Sequence, residues 1–203
     1  IRRQRQMCIR DRYGHVKMTF EPSGDMDTPY VFEQTVVGGA VPKNFFPAVE
    51  KGIAESVKKG PLAAYPVTGI KAVLYDGSYH PVDSSEMAFK VATQQAFKKG
   101  IMEAKPVLLE PIATLKVVVP EGYTGDVMGE LNKRRARVMG MNPTDNGYQE
   151  IVADIPYLEL YGYNATLRSM TSGSGTFSYE FARYEQAPDD VAAKQIEERA
   201  SKL

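Results

Sequence analysis

Alternation of hydrophobic and polar residues predicts two strands in the first half of the chain. Residues 16–20 alternate between apolar and polar side chains, and residues 70–74 do the same before the turn signal Asp76-Gly77. Successive side chains of a strand point to opposite faces, so a period of two indicates a strand that buries one face. Both segments are therefore predicted as half-buried strands.

A spacing of four residues predicts a helix between these strands. Val49, Ile53 and Val57 recur at that spacing, with Pro47 near the start and Gly60 at the end. Apolar residues four apart lie on one face of an α-helix, and proline near the first turn with glycine after the last turn suits its two ends. The segment is predicted to be an amphipathic helix.

A second helix is predicted after the strand at residues 70–74. Asp83 is the expected N-cap, and Glu86, three residues later, is expected to complete a capping box with it. Gly100 marks the expected end of this helix. Strands and helices together predict one α+β unit over residues 13–103.

The pattern restarts after a proline-bracketed extended segment at residues 105–111, where we place a domain boundary. The predicted elements that follow are a strand at 115–119, a helix at 124–137, strands at 138–141 and 151–155, a short helix at 158–168 and a strand at 177–181. Their order, β-α-β-β-α-β, is that of the ferredoxin-like fold, in which two helices cover one face of an antiparallel sheet. Pro188 opens a last helix.

Composition narrows the class of protein. The 25 basic and 25 acidic side chains cancel, so any attraction to RNA must come from local patches. Cys8 is the only cysteine, which excludes an intrachain disulfide and suits a reducing compartment. No apolar run approaches the roughly 20 residues that span a bilayer. We expect a cytoplasmic protein without a membrane partner.

Two motifs are absent from the sequence. No G-x-x-x-x-G-K-[ST] run occurs, so the backbone cradle that holds nucleotide phosphates in P-loop proteins is missing, and this chain is not expected to hydrolyse GTP. His15 and His80 are the only histidines, and Cys8 has no partner at metal-ligand spacing. We expect neither a cofactor nor a metal ion in these residues.

His80 lies in the run from Tyr75 to Asp83, predicted as a strand end, a turn and a helix cap. Three hypotheses remain open for this histidine. It is a general base, for which Ser78 and Asp83 supply the residue types of a nucleophile and an orienting partner. Alternatively it is an ordinary turn residue, or its exposed ring contacts RNA.

A basic cluster and a glycine-serine turn are further candidates in the second half. The cluster follows the apolar stripe of the helix at 124–137, and it consists of Lys133, Arg134, Arg135 and Arg137. Its cations either complement the helix dipole in solvent or contact RNA phosphates. The turn is either hairpin-like or a backbone approach to phosphate, and its residues are Ser172, Gly173, Ser174 and Gly175.

Long runs of the chain resemble elongation factor G. Residues 38–43 (GGAVPK), 47–52 (PAVEKG) and 74–90 (LYDGSYHPVDSSEMAFK) resemble its domain IV. Residues 106–111, 125–129, 131–135, 162–163 and 167–169 resemble its domain V. The resemblance extends from residue 13 to the end and implies an α+β protein of two domains. A ribosomal-protein-like βα domain IV at 13–104 precedes a ferredoxin-like domain V at 105–185 and a terminal helix at 186–203.

The resemblance implies a ribosome-binding module of a translation factor that moves tRNA and mRNA through the ribosome. Its partners would be the ribosome, rRNA, the tRNA–mRNA complex in the decoding region and the missing N-terminal GTPase domains, which would hold GTP and Mg²⁺. A monomer is expected. The implied tip residues are Tyr13, Gly14, His15, Gly77, Ser78, Tyr79, His80 and Pro81. The implied rRNA-contacting residues are Lys133, Arg134, Arg135, Arg137, Ser172, Gly173, Ser174 and Gly175.

Several positions depart from the family pattern. Residues 1–12 fall outside the resemblance, and we interpret them as a non-native leader that does not pack. Pro81 replaces a usual aspartate, Ala136 a common glycine, and Ser174 a common arginine. These departures favour an elongation factor G-like paralogue, and they leave ribosome recycling or ribosome protection as alternatives to translocation. A stand-alone RNA-binding protein and a hydrolase built on His80 are the remaining hypotheses.

Overall fold

The computed structural model describes residues 13–202 and, by their backbone alone, residues 2–7. Cys8 and the rest of the predicted leader between residues 8 and 12 lie outside the described residues. The chain divides into two compact units. The first unit is Ile1–Pro106 with Ala193–Leu203, and the second unit is Val107–Ala192.

The first unit contains a mixed four-stranded sheet and two helices. Its elements in chain order are β1 (Arg2–Met7), β2 (Gly14–Pro22), β3 (Tyr30–Gln34), α1 (Phe46–Lys58), β4 (Ile70–Ser78) and α2 (Glu86–Glu103). The sheet order is β1-β2-β4-β3, in which β3 and β4 are parallel and the other pairs are antiparallel. A parallel pair requires a crossover connection, and α1 supplies it.

The core of the first unit lies between the sheet and the two helices. The alternating residues of the predicted strands are buried there, with Val16 and Leu74 fully inaccessible to solvent. Val49 and Ile53 of α1 and Phe89 of α2 complete the centre. The two strands and the amphipathic helix predicted from periodicity are confirmed.

Two features of the first unit differ from the prediction. The backbone of β1 pairs in register with β2, although residues 1–12 were expected not to pack. Main-chain hydrogen bonds can extend a free sheet edge without any particular side chains, so composition alone did not reveal this strand. β3 was also missed, because none of its five side chains is fully buried and its residues show no clear alternation of apolar and polar positions.

The N-cap of α2 is Ser85, not Asp83 as predicted. The Ser85 side chain accepts a hydrogen bond from the amide of Ala88 at 3.2 Å. Asp83 instead lies 3.0 Å from Nδ1 of His80. The preceding strand also extends to Ser78, beyond the predicted end at Tyr75. The connection that carries His80 therefore begins at Tyr79.

The second unit has the predicted β-α-β-β-α-β order. Its elements are β5 (Leu109–Pro120), α3 (Thr124–Lys133), β6 (Arg137–Thr144), β7 (Tyr148–Pro156), α4 (Tyr163–Met170) and β8 (Thr176–Gln186). The antiparallel sheet has the order β6-β7-β5-β8. The core lies between the sheet and the helices, and its fully buried members include Leu115, Leu131, Ile151 and Leu167.

Helix α3 ends four residues before the predicted end at Arg137. Arg135 adopts a left-handed conformation with φ of 58°, and the amide of Ala136 donates to the carbonyl of Leu131 at 2.9 Å. This bond closes a Schellman motif, which stops a helix. Arg137 consequently lies in β6, and the basic cluster is divided between two elements.

The terminal helix α5 (Asp189–Ala200) begins in the second unit, and its later part belongs to the first. Arg199 lies over the ring of Tyr65 at 4.1 Å and donates to the carbonyl of Ala64 at 3.4 Å. A guanidinium over an aromatic face is an attractive contact. It supplies the docking partner that the weak apolar pattern of this helix did not predict.

Candidate ribosome-contacting surfaces

The connection from β4 to α2 presents an exposed loop. We call residues 79–84 the tip loop. Tyr79 is 45% exposed and Val82 is 79% exposed, with His80 and Pro81 exposed between them. These placements agree with the expectation that the loop projects from the domain, while its RNA contacts stay a prediction.

The ring of His80 is held against its own loop. Its Nδ1 lies 3.4 and 3.3 Å from the amides of Val82 and Asp83, which donate to it when it carries no proton. It also lies 3.0 Å from the Asp83 carboxylate, to which it donates when it is protonated. The His80 amide donates to Oγ of Ser84 at 2.8 Å, and the Ser84 amide donates to the His80 carbonyl at 3.0 Å. The tip loop is therefore ordered by its own hydrogen bonds, and Nε2 of His80 is its free ring nitrogen among the described contacts.

The nucleophile that the hydrolase hypothesis requires is not beside His80. The Ser78 hydroxyl bonds Oη of Tyr13 at 2.6 Å and Nδ1 of His15 at 2.7 Å. Among residues 13–202, no hydrogen bond joins Ser78 to His80. Nucleophilic catalysis depends on such a contact, so this geometry does not favour a hydrolase.

The residues that enter β2 lie beneath the tip loop and are not exposed with it. His15 is 8% exposed and Gly14 is buried, so neither lies on the surface as the other tip residues do, and their contact with a partner stays a prediction. The reason is the register of the sheet, which pairs His15 with Ser78. Burial lowers the pKa of His15, Lys17 lowers it further, and Asp76 partly opposes this. A neutral, buried His15 acts as structural support.

Close packing explains why position 77 is a glycine. A Cβ at this position would overlap the His15 carbonyl oxygen and the side chain of Val41. The close approach of β2 to β4 therefore requires glycine here. Of the expected tip residues, Tyr79, His80 and Pro81 are exposed, whereas Gly77 and Ser78 end the strand that carries them.

The arginines of the basic cluster bond groups of the same unit. The Arg134 side chain is 17% exposed and donates to Glu130 at 2.7 Å. It also donates to the carbonyls of Glu159 and Tyr161 at 2.6 and 3.0 Å and to Thr166 at 3.0 Å. These bonds connect the end of α3 to Thr166 of α4 and to two residues that precede α4. They also supply hydrogen-bond donors to two backbone carbonyls. Arg134 is a structural residue.

Arg135 and Arg137 are also engaged by carboxylates. Arg135 makes two parallel bonds to Glu110, at 3.0 and 2.9 Å, and a third to Glu159 at 3.1 Å. The hydrogen bonds that Arg135 donates to Glu110 raise its pKa, burial partly opposes this, and the bond that it donates to Glu159 raises the pKa further. Arg137 is 63% exposed but lies 3.2 Å from Asp154. Lys133 alone of the four is exposed and without an ion pair among the described residues.

Asp154 is the buried centre of an ion-pair network on β7. It is 8% exposed and accepts from Arg183 at 2.8 Å and Arg137 at 3.2 Å. Burial by itself would raise the pKa of Asp154, but the two arginines outweigh burial and hold this pKa below its usual range. Asp154 and Arg137 also line a 250 Å³ pocket at one end of the sheet, together with Glu110, Arg135 and Glu185.

We expect Asp154→Asn to lower the stability of the second unit by about 2 kcal/mol at pH 7, since it removes charge-assisted hydrogen bonds. The native carboxylate has the lower pKa, so its stabilisation is fully present above about pH 5. It is lost as the pH falls below the unfolded value of about 3.9. Urea unfolding of both proteins between pH 7 and 3 measures this difference. A constant difference across that range would contradict the assignment.

The turn with Ser172, Gly173, Ser174 and Gly175 follows α4 and is not a hairpin. The amide of Gly173 donates to the Arg168 carbonyl at 2.8 Å, that of Ser174 to the Thr171 carbonyl at 3.0 Å, and that of Gly175 to Oγ1 of Thr171 at 2.9 Å. Three amides that a phosphate would need are thus already bonded. The backbone-cradle hypothesis does not fit this turn, although Ser172 and Gly173 remain exposed.

Free positive charge is scarce in the second unit. Between residues 107 and 192 there are twelve acidic and seven basic side chains. Within this part of the described chain, the exposed cations without a carboxylate partner are Lys116, Lys133 and Arg168. Sequence reasoning missed Arg168, because a single cation on an amphipathic helix resembles any solvated residue.

An aromatic row on the edge strand β8 was also missed as an exposed feature. Tyr179, Phe181 and Tyr184 are 51%, 52% and 58% exposed. Tyr179 packs edge-on against Tyr157 with ring centroids 5.7 Å apart. Alternation correctly predicted a strand here, but it could not show that the helices leave this end of the face uncovered.

The described residues contain neither a membrane-spanning helix nor a cluster of metal-binding side chains. No helix among them is long and apolar enough to cross a membrane. Within the same residues, no group of three or more histidine, cysteine, aspartate or glutamate side chains is arranged to hold a metal ion. The expectation that this chain lacks a metal or cofactor stays a prediction.

Comparison with known proteins agrees with both folds. Residues 2–105 match the family model "Elongation factor G, domain IV", and residues 107–195 match "Elongation factor G C-terminus". An "Elongation factor G-like protein" of Thermotoga maritima is 48% identical over 192 residues, which are 95% of this chain and 28% of that protein. The chain thus spans little more than a quarter of this relative's length.

A solved structure is also similar. A crystal structure of a protein from Thermus thermophilus is 40% identical and has a TM-score of 0.79; the match covers 98% of this chain and 30% of that one. The domain IV match includes β1, which we had placed outside the resemblance. Two consecutive family models thus span nearly the whole sequence, and the chain belongs to the elongation factor G family.

Proposed function

We propose that this chain is the ribosome-binding C-terminal part of a translational GTPase and that it promotes movement of tRNA and mRNA. The observation that carries the proposal is the exposed, internally bonded tip loop on a domain IV scaffold. An ordered loop loses little conformational entropy on binding, which favours contact with a large partner. The tip loop is proposed to enter the decoding region.

His80 is the central contact in this proposal. Its Nδ1 faces the loop, so Nε2 is available to a tRNA or rRNA group. RNA presents phosphate and 2′-hydroxyl oxygens that an imidazole can bind. Tyr79 and Val82, before and after His80 in the tip loop, present exposed apolar surface, which suits packing on a ribose or a base.

In the second unit, we propose that Lys133 and Arg168 contact rRNA phosphates together with the exposed turn at Ser172 and Gly173. Arg134 and Arg135 are not part of this proposed contact, since most of their N–H donors already bond groups of the same unit. The excess of acidic groups in this unit opposes general attraction to RNA, so the contact must be local.

The remaining proposals follow from family membership. We propose that GTP and Mg²⁺ bind in the part of the full-length factor that lies outside this chain, because no P-loop motif occurs in these residues. A cytoplasmic monomer is proposed, with the ribosome as its main partner. The single cysteine is compatible with that reducing compartment.

A second function is ribosome recycling or ribosome protection by an elongation factor G-like paralogue. The observation that favours it is the name of the Thermotoga maritima relative, "Elongation factor G-like protein". Pro81, beside His80 at the exposed tip, is the departure from the family pattern that bears on this choice. The two functions share a scaffold and differ in the step that the tip assists.

Replacing His80 by alanine is expected to spare stability and to slow single-turnover translocation by the full-length factor about tenfold. The exposed His80–Asp83 pair contributes little to folding, whereas a lost contact to a charged group costs about 1.5–3 kcal/mol. Thermal melting of this chain and translocation kinetics of the full factor are measured in parallel. Lys58→Ala, which removes an exposed cation from the end of α1, is the control.

Each result leads to a different conclusion. Slower translocation with unchanged melting supports the proposal. Unchanged translocation with slower separation of the ribosomal subunits in a recycling assay supports the paralogue instead. A large loss of stability with unchanged activity in both assays would make His80 a structural residue.

A further inference from the structure

Both ends of the tip loop contact the same residue, Tyr13. The loop leaves β4 at Ser78 and returns toward α2 through Asp83 and Ser84. Tyr13 is partly buried and lies just before β2, which is remote from the loop in sequence. A residue that holds both ends of a loop limits the positions of everything between them.

The departing end is held through a hydroxyl. Oη of Tyr13 lies 2.6 Å from Oγ of Ser78, and the same Oγ lies 2.7 Å from Nδ1 of His15. A serine hydroxyl has one proton and two lone pairs, so it can bond both neighbours at once. His15 is buried, and its register opposite Ser78 anchors this group of three residues in the sheet.

The returning end is held through the backbone. The Tyr13 amide donates to the Asp83 carbonyl at 2.6 Å, and Tyr13 forms a parallel bridge with Ser84. Ser84 then exchanges two bonds with His80, one through its amide and one through its hydroxyl. A continuous series of hydrogen bonds therefore leads from the buried sheet to the exposed histidine.

Close packing leaves Tyr13 little freedom to move. A Cβ on the next residue, Gly14, would lie 2.7 Å from the backbone carbon and oxygen of Ala88 in α2. Real Cβ atoms essentially never come so close to backbone, so the chain at Gly14 is pressed directly against the helix. The backbone next to Tyr13 is therefore held in place by the contact between β2 and α2.

We propose that Tyr13 is the positioning residue of the tip loop, clamping its two ends so that His80 is held in one place. This inference rests on the proposed function for what the loop contacts, but the clamp itself concerns only this chain. Its hydroxyl acts on the departing end and its amide on the returning end. Substitution by phenylalanine therefore removes one half of the clamp and keeps the ring.

Hydrogen exchange of the His80 and Ser84 amides tests the clamp. We expect Tyr13→Phe to accelerate exchange at both amides about three- to tenfold, since the loss of one neutral hydrogen bond changes a local opening equilibrium by about that factor. Ser78→Ala should accelerate it at least as much, because it also leaves Nδ1 of His15 without its partner. Tyr30→Phe, which removes a hydroxyl from β3 of the same unit, is the matched control.

The double variant separates a shared bond from two independent effects. If Tyr13 and Ser78 act through one contact, Tyr13→Phe combined with Ser78→Ala should accelerate exchange no more than Ser78→Ala does alone. Equal exchange in wild type and both single variants would overturn the clamp. Acceleration spread evenly over the first unit would also overturn it, because the hydroxyl would then support the sheet and not the loop.

Ribosome binding by the chain, with His80→Ala as the reference, connects the clamp to the proposed function. We expect Tyr13→Phe to weaken binding severalfold, in the same direction as His80→Ala. If His80→Ala leaves ribosome binding unchanged, the proposed function fails. The clamp is then tested only by hydrogen exchange of the His80 and Ser84 amides. If His80→Ala weakens binding while Tyr13→Phe loosens the loop without any effect on affinity, the positioning role is refuted.

Discussion

Arg134→Ala is expected to lower the free energy of unfolding of the second unit by about 2–3 kcal/mol, because it removes charge-assisted hydrogen bonds from a partly buried site. The side chains of Arg134 and Glu130 are 17% and 16% exposed, so the variant leaves a largely buried carboxylate unpaired. The carbonyls of Glu159 and Tyr161 also lose their donors. Unfolding in urea, followed by tyrosine fluorescence, measures the change.

The same guanidinium covers the ring of Tyr163 at 5.3 Å. Burial raises the pKa of Tyr163 to about 12, so its phenol stays neutral under all ordinary conditions. Losing the cation removes packing against this core ring as well as the hydrogen bonds. Arg134→Lys should recover only part of the loss, because one ammonium group cannot reach four acceptors in a planar arrangement.

Lys133→Ala is the matched control, one residue away and exposed at the end of α3. Its stability should stay within about 0.5 kcal/mol of wild type, as for most surface substitutions. Its affinity for ribosomes should fall if the proposed rRNA contact is correct. A stable Arg134→Ala with weakened ribosome binding would reverse these two roles.

Gly14→Ala is expected to destabilise the first unit by about 2–3 kcal/mol, the upper part of the range for overpacking. The three atoms nearest to the new Cβ are backbone atoms of Ala88 and Phe89, at 2.7 to 2.9 Å. Backbone cannot rotate away as a flexible side chain can, so either β2 or α2 must shift. Because Gly14 adjoins Tyr13, the shift should also disturb the tip loop.

Gly129→Ala provides the comparison. Gly129 lies on the exposed side of α3, and a Cβ there meets nothing within 4 Å. Alanine in an exposed helix interior should stabilise by about 0.5–1 kcal/mol. Thermal melting of both variants and of wild type should show a lower melting temperature for Gly14→Ala and a higher one for Gly129→Ala. A Gly14→Ala protein that melts with wild type would show that the contact of β2 with α2 is looser than described.

Local patterns were sufficient where neighbours in sequence determine structure. A period of two identified β2, β4, β5, β7 and part of β8, and a period of four identified α1, because one face of each element is buried. The order of elements then predicted the ferredoxin-like fold of the second unit, which the structure confirms. The runs that resemble elongation factor G identified the family, which both family models confirm.

Element ends were harder to predict. Asp83 and Ser85 are both suitable N-cap residues for α2. Ser85 is the N-cap in the structure, because the Asp83 carboxylate lies against Nδ1 of His80. α3 ended early because Arg135 took a left-handed conformation that propensity disfavours for arginine. Its bonds to Glu110, 25 residues away, help to hold that conformation.

The sequence by itself determined the fold class, the family and the exposed position of His80, since each depends on local pattern or on long runs of residue identity. Only the tertiary structure decided which charges are free and which polar groups support the tip loop. Arg134 and Lys133 are adjacent cations in sequence, yet one is enclosed by acceptors and the other faces solvent. Ion pairs and hydrogen bonds depend on distance in space and not on distance in sequence. The fold places the hydroxyl oxygens of Tyr13 and Ser78 2.6 Å apart, although 65 positions separate the two residues in the sequence.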